Sequence, residues 1–165
     1  MKKLFLVRHA KSSWEEEGLL DIDRPLKGRG VRDAYSAARW LAEQGESAEH
    51  LFSSPATRAL HTALIFSREL GYPFSDISIV QELYDCTATD IELVARAIPD
   101  HFNSAMIFGH NPGMTNFLNR CIDHRIDKLP TTGIACLSFE IDHWAHIDGQ
   151  AELLFFDYPK RRQSK

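Results

Sequence analysis

Two arginines and two histidines occupy positions from which they could surround one anion. Arg8 and His9 directly follow a short apolar run. Arg58 lies in the first turn of a predicted helix, and His110 follows another apolar run, just before the turn-forming stretch 111–113. Four basic groups in one cleft would repel one another unless an anion shared it. Guanidinium groups bind tetrahedral oxyanions bidentately and a histidine can carry a phosphoryl group covalently, so the set predicts phosphoryl transfer.

Each of these residues, taken alone, also has a simpler structural explanation. An isolated Arg8 would extend its charged end into water, and His9 would be an ordinary surface histidine. Arg58 alone is typical of a helix surface, and His110 alone is typical of a cap or a turn. It is their joint placement at strand ends that favours a phosphate pocket.

Other sequence routes to phosphate chemistry are not supported. A cysteine phosphatase needs an arginine six positions after its cysteine. Here Cys86, Cys121 and Cys136 are followed at that distance by Glu92, Asp127 and Asp142. No GxxxxGK[ST] loop occurs, and the one D-x-D sequence, at 21–23, lies in a loop where a solvated structural role is favoured over magnesium binding. We therefore expect no metal.

The elements that must position these residues alternate between strand and helix. Apolar runs predict strands at 4–7, 51–52, 77–80 and up to 108, and amphipathic stripes predict helices at 31–41, 56–70, 90–98 and from 113. Segments 133–141 and 151–157 predict an antiparallel pair. Such a chain is an α/β sandwich, whose ligands collect outside the carboxyl ends of the strands. Three predicted strands end there in a candidate residue.

Composition limits the possible functions. The chain has 165 residues, of which 44% are hydrophobic and 25% charged, so we expect one domain over 1–165 with a disordered tail at 160–165. A net charge of −4 argues against general affinity for nucleic acid or anionic membranes. Three widely spaced cysteines suggest neither disulfides nor zinc, and Arg8 interrupts the first apolar run before it reaches signal-peptide length. We expect a cytoplasmic monomer.

Three motifs in order along the chain resemble the histidine phosphatase superfamily, also called phosphoglycerate-mutase-like. They are RHA at 8–10, SSPATRALHTA at 53–63 and GHNPG at 109–113. The compact length and DIDRPLKGRG at 21–30 are similar to its bacterial phosphohistidine phosphatase branch, the SixA-like proteins. The resemblance runs from about Lys3 to Asp157. It implies a three-layer α/β sandwich with a mixed, mostly parallel sheet of about six strands flanked by helices, and catalysis without metal or organic cofactor.

The resemblance also implies roles for individual residues. His9 matches the nucleophile, while Arg8, Arg58 and His110 match the rest of the catalytic and substrate-binding phosphate pocket. Arg24 is similar to a position that we expect at the rim of the pocket, where it would help to bind substrate.

Two positions depart from the pattern of the family. Ala10 stands where many relatives have glycine, a small change that should leave the catalytic pair intact. The proton donor is less clear: Glu82 is our first choice and Asp85 our second, although Glu82 could equally be a structural carboxylate that pairs with an arginine.

The sequence thus predicts a metal-independent phosphatase that hydrolyses phosphohistidine on a protein through a covalent phosphohistidine intermediate, with a protonated His110 stabilising the oxygens. An uncertain acid favours this substrate, because an imidazole leaves more easily than an alkoxide. The connections between elements are short, so the partner is expected to be a phosphorylated protein such as a histidine-phosphotransfer domain.

Two other functions stay open. One is a small-molecule or phosphoserine/threonine phosphomonoesterase of the same superfamily, which would differ only at rim residues such as Lys11, Trp14 and Arg24. The other is a module that binds phosphoprotein without turnover.

Overall fold

A mixed sheet of six strands forms the centre of the fold. The computed structural model describes residues 1–163. The strands are β1 (Lys2–Arg8), β2 (His50–Ser53), β3 (Ile77–Ile79), β4 (Ser104–Gly109), β5 (Ile134–Phe139) and β6 (Glu152–Asp157). Their order across the sheet is β3-β2-β4-β1-β5-β6. The pairs among β1 to β4 are parallel, and β5 and β6 are antiparallel at one side, as the sequence predicted.

Helices cover both faces of this sheet. They are α1 (Gly28–Glu43), α2 (Thr57–Leu70), α3 (Ala88–Arg96), α4 (Gly113–Cys121) and α5 (Pro159–Gln163). Along β1, Phe5 and Val7 pack with α1 and α2, whereas Leu4 and Leu6 pack with α3 and α4. This alternation explains the unbroken apolar run, because a strand covered on both faces has no polar side. The three-layer α/β sandwich is confirmed.

Local sequence signals account for several helix ends. Gly71 follows α2 with φ of 79°, a left-handed conformation that closes a helix without Cβ strain. Thr87 and Asp90 form a reciprocal capping box at the start of α3. Within the described residues, no helix is both long and apolar enough to span a membrane.

The expectation of a disordered tail from Lys160 is wrong for residues 160–163, which belong to α5. The physical reason is Asp157, whose fully buried carboxylate forms ion pairs with Arg161 and Arg162. A buried carboxylate needs such partners, so it fixes the chain that follows. Residues 164 and 165 lie outside the described part of the chain.

The ends of three parallel strands lie side by side at one edge of the sheet. In the register, Arg8 is opposite Gly109 and Ser53 is opposite Phe108. Backbone bonds extend this register by one residue: the His9 N–H donates to the Gly109 carbonyl at 3.1 Å, and the Ser54 N–H donates to the Phe108 carbonyl at 3.1 Å. The residues that follow β1, β2 and β4 are therefore held together.

Candidate active site

His9 is fixed at the end of β1 with one ring nitrogen committed to the backbone. Its Nδ1 lies 2.7 Å from the carbonyl oxygen of Ala10, which can only accept, so Nδ1 carries the proton. The lone pair of the neutral ring is then on Nε2. The next residue is also held, because the Ala10 N–H donates to Thr62 Oγ1 at 3.0 Å. Since His9 is only 7% exposed, its ring has little freedom to turn.

The protonation state of His9 follows from its surroundings. Burial is the main cause that lowers its pKa, and the nearby His110, Arg8 and Arg58 lower it further. The hydrogen bond to Ala10 acts in the opposite direction, and the resulting pKa is about 3. His9 is therefore neutral at neutral pH, which is the state that a nucleophile needs.

Arg8 and Asn111 are tied together through one carbonyl group. The Arg8 guanidinium donates to the Leu129 carbonyl at 3.2 Å, and the Asn111 side-chain amide donates to the same oxygen at 2.9 Å. Burial lowers the pKa of Arg8. This arrangement connects the ends of β1 and β4 to the loop before β5.

Arg58 is held by Asp21 from a distant loop. Its guanidinium donates to the Asp21 backbone carbonyl at 2.7 Å and to the Asp21 carboxylate at 3.1 Å. The same carboxylate accepts from the Tyr84 hydroxyl at 2.6 Å. The Tyr84 bond is the largest cause that lowers the Asp21 pKa, with Arg58 and Arg24 adding to it, and the resulting pKa is about 2. Asp21 is therefore an anion at neutral pH.

Arg24 shares this carboxylate and also contacts an aromatic ring. Its Nε lies 3.1 Å from Asp21 Oδ1, and its guanidinium carbon lies 3.4 Å from the centroid of the Trp14 ring. Such a stacked contact restrains a planar cation more than a surface ion pair does. Arg24 is 9% exposed, so the rim residue expected from the sequence is largely buried.

His110 lies beside His9, with the ring centroids 5.2 Å apart. Its Nε2 is 2.8 Å from the Ser54 hydroxyl. Burial, followed by the charge of Arg58, lowers its pKa to about 4. His110 is therefore neutral at neutral pH in the protein without an anion. The protonated His110 expected from the sequence concerns the cleft with a phosphoryl group bound, and it stays a prediction.

These side chains line one cleft of about 330 Å³, which we call the anion cleft. It is lined by Arg8, His9, Lys11, Ser12, Trp14, Arg24, Lys27, Arg58, His110, Asn111 and Thr131. The four residues that the sequence singled out are all among them. Lys11, Trp14 and Arg24, the rim residues expected from the sequence, line the cleft as well.

The polar groups of the anion cleft fit an oxyanion. Within residues 1–163, the buried Nε atoms of Arg8 and Arg58 and Nδ1 of His110 have no hydrogen-bond partner. Five cationic side chains line the cleft, and its lining contains no carboxylate from the described residues. An anion would balance this charge. The described part of the chain contains no group of three or more His, Cys, Asp or Glu that could hold a metal ion.

The two predicted proton donors lie elsewhere. Glu82 is exposed and lines a separate groove with Val80 and Leu93. Asp85 is exposed, has a positive φ of 54° and is absent from the lining of the anion cleft. Neither carboxylate is brought to the cleft, and neither forms an ion pair with a cleft arginine among the described residues.

Sequence reasoning missed Asp21, Tyr84 and Ser54. The D-x-D at 21–23 suggests only metal binding or a solvated loop, yet Asp21 forms ion pairs with two arginines, Arg24 and Arg58. Tyr84 contacts both Asp21 and the ring of His110, the latter at 5.8 Å between centroids. A loop acid next to a rim arginine was the only available signal, and no pattern in the sequence marked the tyrosine.

Comparisons with known proteins agree with this geometry. An uncharacterized protein of Mycobacterium tuberculosis is 31% identical over 166 residues, which cover 93% of this chain and 100% of the relative. A protein of Agrobacterium tumefaciens assigned as the phosphohistidine phosphatase SixA has a similar structure, with a TM-score of 0.81 at 28% identity, covering 96% and 98% of the two chains. The protein histidine phosphatase SixA in complex with tungstate shares the fold, with a TM-score of 0.82 at 21% identity over 97% and 99%.

The match to a protein family covers most of the chain. Residues 4–138 fit the family described as the histidine phosphatase superfamily (branch 1). This range begins at Leu4, the first buried apolar residue of β1, and includes every residue of the anion cleft. The chain therefore belongs to the histidine phosphatase superfamily.

Proposed function

We propose that this phosphatase hydrolyses phosphohistidine carried by a protein, through a covalent phosphohistidine at His9. The observation that carries the proposal is the lack of a carboxylic acid at the anion cleft. No Asp or Glu is found in its lining among the described residues, and the nearby Asp21 has a pKa of about 2 and cannot donate a proton at neutral pH. An alkoxide leaving group needs such a donor, whereas an imidazole does not.

The first step transfers the phosphoryl group to the enzyme. Nε2 of neutral His9 attacks phosphorus in line, and the bond from phosphorus to the substrate imidazole breaks. When the other ring nitrogen of the substrate carries a proton, the imidazole keeps the electron pair and leaves as a neutral molecule. No further proton is required, which suits a cleft without an acid.

The second step releases phosphate. Water attacks phosphorus, the bond to Nε2 breaks, and its electron pair returns to His9, whose Nδ1 keeps its proton through the bond to the Ala10 carbonyl. The products are neutral His9 and dihydrogen phosphate, which then equilibrates with the solvent. Arg8 and Arg58 stabilise the charge on the equatorial oxygens in both steps, and the loss of one such donor commonly lowers kcat about 10²- to 10³-fold.

The bound phosphoryl group also changes the protonation state of His110. A phosphoryl dianion beside this ring favours its protonated form and opposes the effect of Arg58. Such a proton would stabilise the oxyanion as the sequence analysis expected, although only in the occupied cleft. The partner that we propose is a phosphorylated protein, with a histidine-phosphotransfer domain as one candidate.

Turnover of four substrates tests this function: a phosphohistidine protein, a phosphoserine peptide, a sugar phosphate and a nitrophenyl phosphate. We expect the phosphohistidine protein to have the highest kcat/KM and quenched enzyme to carry acid-labile phosphate. His9→Ala should lose at least about 10³-fold of the activity and all of the labelled phosphate, while His124→Ala, outside the anion cleft, should retain both. Faster hydrolysis of the phosphomonoesters would overturn the substrate assignment, and stoichiometric binding without phosphate release would overturn the activity.

A further inference from the structure

A second cavity of about 250 Å³ adjoins the anion cleft. Lys11 and Thr131 line both, so the two cavities share a wall. The polar residues that line the second cavity are Lys11, Arg29, Asp33, Thr131, Tyr158 and Lys160. We call it the lysine subsite. It lies between the loop after β1, the start of α1 and the start of α5.

The lysine subsite has an excess of positive charge. It contains the cations Lys11, Arg29 and Lys160 and one carboxylate, Asp33, whose Oδ2 is 3.9 Å from Arg29 Nε. If the charge of Asp33 balances that of Arg29, the charges of Lys11 and Lys160 remain without a counterion in the cavity lining. Within residues 1–163, neither lysine forms an ion pair with a carboxylate. This excess occurs in a protein whose net charge is −4, so it is a local property of this face.

The backbone of Lys11 is fixed by its contacts with α1 and with the residue before this helix. The Lys27 N–H donates to the Lys11 carbonyl at 2.9 Å, and a Cβ on Gly30 would lie 2.2 Å from the same oxygen. The loop thus packs directly on the start of α1, and Lys11 stands between the two cavities. Glu15, Glu16 and Glu17 follow on the same loop but line neither cavity.

We propose that the lysine subsite binds negative charge that the substrate carries next to its phosphoryl group. The inference rests on the proposed function and narrows its substrate class to a phosphohistidine flanked by carboxylates on an acidic protein surface. A cation near the bound phosphoryl group would otherwise have no counterion once the phosphoryl charge is taken up by Arg8 and Arg58. A small molecule with a second phosphate offers the same chemistry, so the test separates the two sources.

The experiment compares two phosphohistidine peptides that differ only in having Asp and Glu, or Asn and Gln, around the phosphorylated residue. At low salt we expect the wild-type protein to prefer the acidic peptide about tenfold in kcat/KM, and the preference to shrink as salt is added. Lys11→Gln/Lys160→Gln should reduce the preference to about twofold or less. Arg39→Gln/Arg125→Gln removes the same charge from exposed positions outside both cavities and should keep the preference.

A matched pair of small phosphomonoesters, with and without a second phosphate, identifies the source of the charge. A preference for the doubly charged ester combined with equal rates on the peptides would overturn the protein surface as source. Equal rates within both pairs would overturn the subsite while leaving phosphohistidine hydrolysis intact. Hydrolysis of the esters but of neither peptide would instead overturn the proposed function, and the ester pair would still test the subsite.

Discussion

At the scale of single residues, burial sets the charge of both histidines in the anion cleft. It is the largest cause that lowers the pKa of His9 to about 3 and that of His110 to about 4. The neighbouring arginines act in the same direction, because a second positive charge is unfavourable beside them. The free protein therefore presents a neutral nucleophile to its substrate without a base to deprotonate it.

This state predicts the pH dependence of kcat/KM, which reports ionisations of the free enzyme. Activity falls when His9 gains a proton, so the acid limb should lie near its pKa of about 3, well below the ordinary histidine value of about 6.5. The measurement is kcat/KM against pH, corrected for the ionisation of the phosphoryl group, which is determined separately by titrating the substrate. A limb that stays near pH 6.5 after this correction would contradict the assigned neutral state.

Asp21 should act through the two arginines that it holds. Asp21→Asn removes the charge that fixes Arg58 and Arg24, and misplacing an aligned donor lowers the rate more than it weakens binding. We expect kcat to fall about tenfold, with a smaller change in KM. Steady-state kinetics measure both parameters.

Two variants show whether that effect is specific. Tyr84→Phe keeps the Asp21 carboxylate but removes its shortest hydrogen bond, so it should give a smaller loss in the same parameter. Asp23→Asn removes the same charge two residues away in the same 3-10 turn and should leave kcat unchanged. Equal losses in the Asp21 and Asp23 variants would mean that total charge matters, and not the position of Arg58.

The sequence allowed part of this site to be predicted, for a physical reason. Arg8 ends β1, and His9 and His110 directly follow β1 and β4, so predicting the strands was sufficient to bring them together. Asp21 is 37 residues from Arg58 and 63 residues from Tyr84 in the sequence. These contacts depend on how the loop that contains Asp21 folds back, and such a loop has no periodic pattern. The sequence favours Glu82 because its type fits an acid, but the structure places it outside the lining of the anion cleft. It lies in a 3-10 turn whose buried side chain is Leu83, which leaves Glu82 exposed.

At the scale of elements, hydrophobic periodicity predicts which helices and strands exist more accurately than it predicts the residues at which they begin and end. The stripe at 31–41 begins three residues after the true start of α1, because Gly28, Arg29 and Gly30 carry no apolar signal. The predicted start of α3 at 90 lies two residues inside the helix, whose capping box is formed by Thr87 and Asp90. Backbone hydrogen bonds and caps decide such ends, and side-chain patterning reports them only indirectly.

Gly30 and Gly28 form a matched pair for testing how closely the loop after β1 must approach α1. In Gly30→Ala the new Cβ would lie 2.2 Å from the Lys11 carbonyl oxygen, a backbone atom that cannot move alone. We expect a loss of about 1–3 kcal/mol in the free energy of unfolding, together with reduced phosphatase activity. Denaturant titration and turnover measure the two effects.

Gly28→Ala is the control for that substitution. Its Cβ would lie 3.6 Å from the end of the flexible Arg32 side chain, an ordinary contact. Alanine is also the better helix former, so stability should stay the same or rise by up to about 1 kcal/mol. A Gly30→Ala protein as stable and active as the Gly28→Ala protein would contradict the close approach.

At the scale of the whole molecule, the sheet joins two apolar layers that include different cysteines. Cys121 packs on the side of α3 and α4, and Cys136 packs on the side of α1 and α2. Both are almost fully buried, and burial raises the pKa of each thiol to about 12. Because β1, β2, β4, β5 and β6 each contribute side chains to both layers, we expect the layers to unfold together.

Thiol labelling during urea unfolding tests this prediction. Two single-thiol proteins, one retaining Cys121 and the other Cys136 with alanine at the remaining cysteines, should both resist a disulfide reagent in buffer. Each should become reactive at the same urea concentration as its own loss of helical circular dichroism. Reaction of one thiol well before the loss of helix would show that its layer opens separately and that the chain is not one cooperative unit.

The stacked contact between Trp14 and Arg24 makes one of the three tryptophans an optical reporter. Trp14 is 75% exposed, with the guanidinium 3.4 Å from its ring centroid, whereas Trp144 is completely buried. Indole fluorescence is sensitive to a cation at the ring face. An oxyanion that attracts Arg24 would change the position of this guanidinium relative to the Trp14 ring. We therefore expect the emission of Trp14 to change when an anion occupies the cleft, which would follow binding in real time without an attached dye.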